Sequence, residues 1–171
     1  MLNFFLPNEH VKSIFHITPA MLKERGIKGI ITDLDNTLVE WDRPEATPEL
    51  IEWFKTMKES DITVTIVSNN VEKRVRVFSD PIGIPFVYKA KKPMRRAFRR
   101  AIKDMKLQQD EVVVIGDQLL TDVLGGNRLG LYTILVVPVA QTDGFITKFN
   151  RRMERRILSW MKRKGMINWE D

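Results

Sequence analysis

The sequence predicts an α/β fold, a three-layer Rossmann-like arrangement of about five parallel strands with helices on both faces. Three observations predict it. Short β-branched and apolar runs alternate with segments of helical periodicity. The runs are apolar throughout rather than at every second residue, which is the pattern of strands buried on both faces. Polar clusters also recur directly after the runs, where an open parallel sheet has its ligand crevice.

Each element has a local reason. Thr18-Pro19 reads as N-cap and first helical residue and Gly26 as a stop, so a short helix is predicted over 20–25. The run 29–34 is the first strand. Thr47-Pro48-Glu49 opens a helix with Leu50, Ile51, Phe54 and Met57 at helical spacing. A β-branched run makes 62–67 the second strand. A helix over 71–78, a loop at 81–85 and a third strand at 86–88 follow. Pro93 starts a basic helix that ends near Met105. The strand 112–115, the helix 121–128 and the strand 133–137 complete the pattern. All 171 residues are expected to form one domain, closed by a basic amphipathic helix over 145–164.

Composition narrows the function. With 43% hydrophobic residues the chain can bury a sizeable core, and without cysteine it has neither disulfides nor thiolate metal sites. The first residues lack a basic n-region followed by a long apolar run, and no stretch approaches the ~18–20 apolar residues of a membrane span. A cytoplasmic protein, or one peripheral to the inner membrane face, is expected. The net charge of +6 is uneven. Residues 145–171 hold eight Lys/Arg and three acids, and 88–103 hold eight basic residues and no acid. Few aromatics interleave with these cations, so a nucleic-acid partner is not favoured.

The chemistry sits at four strand ends. Asp33 and Asp35 close the first strand, where two carboxylates repel each other and lose hydration. A divalent cation, or a nucleophile working beside an acid, gives a reason to keep both; an acidic turn after an edge strand is the duller reading. Ser68-Asn69-Asn70 follows the second strand, Lys91-Lys92-Pro93 the third, and Gly116-Asp117 with Asp122 the fourth. Taken singly, Ser68 reads as a helix cap, Asn69 and Asn70 as turn and cap residues, and Asp122 as a charge meeting a helix dipole. His10 and His16 have no metal spacing and read as structural or surface residues.

The order Asp-x-Asp-x-Thr, Ser, Lys-Pro, Gly-Asp-x-x-x-x-Asp resembles the haloacid dehalogenase (HAD) superfamily of phosphohydrolases over about residues 30–135. The resemblance implies Asp33 as nucleophile, Asp35 as the acid and base, and Lys92 as the cation that neutralises the phosphoryl group. It implies Ser68 and Asn69 as phosphate-binding groups and Thr37 as a residue ordering the turn around the leaving group. The implied cofactor is Mg²⁺, held by Asp33, the main-chain carbonyl of Asp35, Asp117, and Asp122 directly or through water. Only 34 residues separate Asp33 from Ser68 and 23 separate Ser68 from Lys92, too few for a folded cap domain, so an open site is expected.

Within the superfamily the chain resembles the YqeG-type bacterial proteins. The residues that carry this are Asp-Leu-Asp-Asn-Thr-Leu, Trp41-Asp42, Ser-Asn-Asn, Ala-Lys-Lys-Pro and Gly-Asp-Gln-Leu-x-Thr-Asp-Val. That group is related to mitochondrial-type phosphatidylglycerophosphate phosphatases, so the implied substrate is an anionic phospholipid phosphomonoester. A nucleic-acid or soluble-metabolite phosphatase, or a non-catalytic assembly protein on the same fold, is the alternative. In the tail, apolar residues at 145, 146, 149, 153, 157, 160 and 161 are expected on one face, with Lys148, Arg151, Arg152, Arg155 and Arg156 largely off it. Such a helix can dock on the domain, contact an anionic membrane surface, or do both.

Overall fold

The computed structural model describes residues 1–140 and 145–169, with the side chains of 145–147 outside the description. Six strands form one parallel sheet in the order β1-β6-β5-β2-β3-β4. They are β1 (Glu9–Val11), β2 (Gly29–Thr32), β3 (Thr63–Val67), β4 (Phe86–Val87), β5 (Val112–Gly116) and β6 (Tyr132–Val136). The strand not predicted is β1, three residues at the sheet edge whose sequence Glu-His-Val has no apolar run. It is recognisable only through pairing, Glu9 opposite Ile134 and Val11 opposite Val136.

The apolar strands bury both faces, and alternate residues of each strand serve the two layers. Ile30, Val64, Ile66, Val113 and Ile115 pack under helices α1 (Pro19–Glu24), α2 (Pro48–Glu59) and α3 (Glu72–Ser79). Ile31, Val67, Val112 and Val114 pack under α4 (Arg95–Met105), through Phe98, Ala101 and Ile102. Thr18 and Thr47 cap α1 and α2 as their sequences predict, each accepting from the main-chain N–H three residues on. The predicted helix 121–128 is instead a π-helical turn, Leu119–Val123, followed by the short α5 (Leu124–Asn127). Such turns recur at functional sites because they re-aim side chains within a helix.

Two adjacent glycines let α5 approach the neighbouring layers. A Cβ on Gly125 would lie 2.5 Å from the Phe98 ring, and one on Gly126 would lie 2.6 Å from Thr133 Cγ2. The last helix, α6 (Phe145–Arg163), docks by its Ile157, Leu158 side against Leu119, Val123 and Leu135, with Met161 fully buried. Beyond it Trp169 stacks on His10 at 4.9 Å, returning the chain over β1.

The apolar face expected for α6 is only partly the docked one. Phe149, Met153 and Trp160 are exposed, at 64, 43 and 45%, whereas Glu154 is buried. The docked side is turned toward Glu154 and Arg151, which find polar partners in the body of the fold. Phe145 and Ile146, also assigned to that face, lie outside the described side chains.

Gly125→Ala is predicted to force the ring of fully buried Phe98 aside. Overpacking of this kind costs about 1–3 kcal/mol. Thermal unfolding should show a midpoint lowered by several degrees, and an unchanged midpoint would mean that the α4–α5 contact yields freely.

Candidate active site

Because β2 lies at the centre of the sheet, between β5 and β3, its C-terminal end opens where the strand order reverses. The ladder continues one residue past the strand, with Asp33 N–H donating to the Ile115 carbonyl at 3.0 Å. The chain then folds back in a tight loop. Asn36 adopts φ 61°, and Leu38 N–H donates to the Leu34 carbonyl. Asparagine tolerates this left-handed conformation better than most residues. The turn presents Asp33, Asp35 and Thr37 around one crevice.

A buried ammonium organises the carboxylates. Lys92 Nζ donates to Asp33 Oδ1 at 2.9 Å and to Asp122 Oδ1 at 2.6 Å, and all three side chains are almost wholly inaccessible. Burial alone lowers the pKa of such an ammonium, but Asp122 and Asp33 outweigh it and hold Lys92 above the ordinary lysine value. Burial conversely pushes Asp122 up to about 6 and Asp117 well above the usual carboxylate range. Lys91, in contrast, is exposed with φ 56°. The two adjacent lysines therefore have opposite environments.

Asn69 fixes Lys92 through the backbone: its Oδ1 accepts from Lys92 N–H at 2.7 Å and its Nδ2 donates to the Lys92 carbonyl at 3.3 Å. Ser68 is buried, and its Oγ accepts from Asn70 N–H at 3.1 Å, an internal turn rather than a cap on α3. Thr37 Oγ1 donates to Asp117 Oδ1 at 3.0 Å. Asp122 also accepts from Gln118 N–H at 3.3 Å, which ties the π-helical turn to its own start. Gly116 is required beside it, because a Cβ there would stand 2.2 Å from the Asp122 carboxyl carbon.

Asp33, Asp117 and Asp122 can each offer a carboxylate oxygen within 4.8 Å of the others. Among the described residues, four carboxylates (these three and Glu154) are matched by two cations, Lys92 and Arg151. With all four ionised, four negative minus two positive charges would leave an excess of two. Burial raises the pKa of Asp117, Asp122 and Glu154, and crowding with Asp33 adds to it for the first two. That excess and the all-oxygen donor set fit a hard divalent cation.

Three residues of the site escape sequence reasoning. Arg151 was expected on the solvent-facing basic side of α6, but it turns inward. Its guanidinium pairs with the Asp117 carboxylate and donates to the Asp117 carbonyl at 2.6 Å. Glu154 bridges Arg151 and the Leu120 N–H. Arg74 Nε donates to Asp35 Oδ1 at 3.1 Å, while Asn70 Nδ2 holds Asp35 Oδ2 at 3.0 Å. Despite these donors, burial raises the Asp35 pKa, helped by the nearby Asp33 charge.

Comparison with known proteins accords with this constellation. A HAD-hydrolase-like family profile matches residues 89–138, the segment carrying Lys92, Asp117 and Asp122. The probable phosphatase YqeG of Bacillus subtilis (strain 168) is 72% identical over 98% of both chains. The chain belongs to the YqeG-type family of HAD phosphatases. A more distant relative of this YqeG-type chain is phosphatidylglycerophosphate phosphatase 1 of Arabidopsis thaliana, chloroplastic/mitochondrial. It is 31% identical over 95% of this chain and 50% of its own length. The cobalt-bound deoxy-D-mannose-octulosonate 8-phosphate phosphatase YrbI of Haemophilus influenzae shares the fold. Its TM-score is 0.58 at 19% identity, over 80% of this chain and 90% of that one.

Arg151→Ala is predicted to leave Asp117 buried without its cation. Removing one partner of a buried pair costs about 3–5 kcal/mol, and the partial exposure of Arg151 favours the lower end. Thermal unfolding should register the loss and Arg151→Lys should recover part of it; equal midpoints for all three proteins would contradict the role. Lys92→Ala should abolish phosphatase activity, whereas Lys91→Ala should change it less than threefold. Comparable losses in the two variants would refute the distinction between these lysines.

Proposed function

We propose that the protein hydrolyses phosphomonoesters through an aspartyl phosphate on Asp33, with Mg²⁺ as cofactor. The observation that carries this reading is the buried Asp33–Lys92–Asp122 arrangement at the central strand end, with Asp117 beside it. Asp33 attacks phosphorus as the ester P–O bond breaks, and Asp35 gives its proton to the departing alkoxide. Burial raises its pKa above the ordinary aspartate value, in the direction that favours the protonated form this role needs. In the second step Asp35, now a carboxylate, takes a proton from water as the water oxygen attacks the phosphoryl group. Phosphate leaves and the Asp33 carboxylate is restored.

The remaining residues orient and neutralise. Lys92, held cationic, balances charge on Asp33 and on the transferred group. Ser68 lies at the next strand end, where it would receive a phosphate oxygen, and Asn69 fixes the Lys92 backbone. The carboxylates of Asp33, Asp117 and Asp122, with the Asp35 carbonyl, would hold Mg²⁺. When bound, that ion supplies charge neutralisation for the approach of carboxylate to phosphate. Thr37 and Arg151 both fix the Asp117 carboxylate.

The proposed substrate is an anionic phospholipid phosphomonoester presented at a membrane surface, on the cytoplasmic side. Support comes from the name of the plant relative, from the short segments linking β2, β3 and β4, and from the outward side of α6. There Phe149, Met153 and Trp160 stand among exposed Arg152, Arg156 and Arg163, an interfacial pattern of apolar anchors flanked by cations. No helix among the described residues is long and apolar enough to cross a bilayer.

Phosphate release from a panel of lipid, sugar, nucleotide and protein phosphomonoesters tests the activity. Turnover should require Mg²⁺, favour the lipid, and vanish in Asp33→Asn without loss of fold. An active Asp33→Asn protein would remove the aspartyl-phosphate mechanism, and a preferred soluble substrate would remove the lipid reading.

Arg152→Glu/Arg156→Glu should weaken binding to anionic vesicles. Each cation near the surface contributes about 1 kcal/mol, so losing two lowers affinity by at least about 30-fold. Hydrolysis of a small soluble phosphate should stay within twofold. Vesicle binding insensitive to both the double reversal and salt would contradict the membrane contact.

A further inference from the structure

Asp35 is anchored by Arg74, and the other side of Arg74 lines an open trough. A cavity of ≈ 360 Å³ lies between the loop after the catalytic aspartates and the start of α3, with walls of Trp41, Pro44, Val71, Lys73, Arg74 and Val77. Trp41, Val71 and Val77 are 43, 52 and 45% exposed. The trough and the site share their framework. Trp41 N–H donates to Asn36 Oδ1 at 3.2 Å, within the loop that carries Asp33 and Asp35. Arg74 also donates to the carbonyls of Pro44 and Glu40, joining this loop to α3. A second cavity of ≈ 660 Å³ shares Lys73 and Val77 and continues past Ala46, Ile51 and Ile82. The two cavities thus meet at Lys73 and Val77 of α3; their walls are mainly apolar, with Asp42, Glu45 and Asp80 also in the lining.

Direction selects the occupant. The group that protonates the departing oxygen must face the leaving group, so the alcohol portion of the substrate departs on the Asp35 side. Arg74, which anchors Asp35, is also a wall of the trough, so an apolar chain on that alcohol leaves the phosphorus on the side where the trough lies. We propose that the trough between Trp41 and Val77 is a leaving-group subsite that takes the alkyl or acyl chain of an amphiphilic phosphomonoester. This inference rests on the phosphatase reading of Asp33 and Asp35 and adds to it where specificity for the leaving group resides. Cavities of this size, mainly apolar with charged residues of both signs among the lining, fall within the range of small-molecule sites. Val77 is the apolar wall residue common to both cavities, and neither cavity is lined by Asp33, Asp35, Asp117 or Asp122, so Val77 can be changed apart from the chemistry.

The test uses n-butyl and n-decyl phosphate with the full chain and Mg²⁺, below the concentrations at which either aggregates, so that no lipid surface is present. A fully buried methylene raises affinity about fourfold. With partial burial of the chain, kcat/KM for decyl phosphate should exceed that for butyl phosphate at least tenfold, chiefly through KM. Val77→Glu should erase the advantage by lowering kcat/KM for decyl phosphate at least tenfold more than for butyl phosphate. Equal kcat/KM for the two esters in the wild type would overturn the subsite, as would a decyl preference that survives Val77→Glu. Equal kcat/KM accompanied by a Val77→Glu-sensitive dimer in sedimentation would assign the trough to a second copy of the chain. If neither ester is hydrolysed, calorimetric titration with butyl- and decylphosphonate separates the two claims. A decyl preference lost in Val77→Glu would uphold the subsite while the hydrolytic reading falls, and no preference would overturn the subsite.

Discussion

The site depends on the compensation of buried negative charge at the centre of the sheet. Removing a carboxylate from water costs several kcal/mol after relaxation, and Asp33, Asp117 and Asp122 are all almost fully buried. Lys92 makes that tolerable by reaching two of them at once. At an effective dielectric of about 20, each such contact returns a few kcal/mol before desolvation is subtracted. The compensation is incomplete, because among the described residues two cations face four carboxylates, and burial raises the pKa of Asp117, Asp122 and Glu154. A folded protein that keeps such an excess has a strong electrostatic reason to bind a divalent cation, and catalysis of phosphoryl transfer uses the same field.

The surrounding elements serve that cluster. Asn69 holds the Lys92 backbone from β3's end, the π-helical turn aims Asp122 inward, and Gly116 clears the space for its carboxylate. α6 supplies Arg151 to Asp117 from outside the sheet. Its inner side thus holds the Asp117 carboxylate while its outer side carries Phe149, Met153 and Trp160 to solvent. One helix therefore links the carboxylates proposed to hold the metal to the surface proposed to meet lipid. On the other flank Arg74 joins Asp35 to the trough proposed for the leaving group.

The parallel sheet and its four motif-bearing strand ends were legible because strands buried on both faces leave continuous apolar runs. Lys92 was separable from Lys91 by its position before Pro93, and the structure gives the two opposite environments. The short strand β1 was hidden because three polar-flanked residues at an edge carry no periodic signal. Arg151 was hidden for a different reason. On a helix rich in arginines, the one that turns inward is selected by a distant partner, Asp117, 34 positions away. Whether the apolar stripe of α6 docks or stays exposed could not be read from the sequence, because helical periodicity identifies a face without saying what it faces. A buried Glu154 among basic neighbours was the available clue to the docked side, since an acid there needs a reason to be inside.

The central claim is that Asp33 becomes phosphorylated. Incubating the protein with Mg²⁺ and beryllofluoride, a mimic of the phosphoryl group, and following fluorine resonances tests it without knowledge of the substrate. The account predicts a bound adduct in the wild type, its loss in Asp33→Asn, and its retention in Lys91→Ala. An adduct that persists in Asp33→Asn, or that forms on another side chain of the folded wild type, would contradict the assignment.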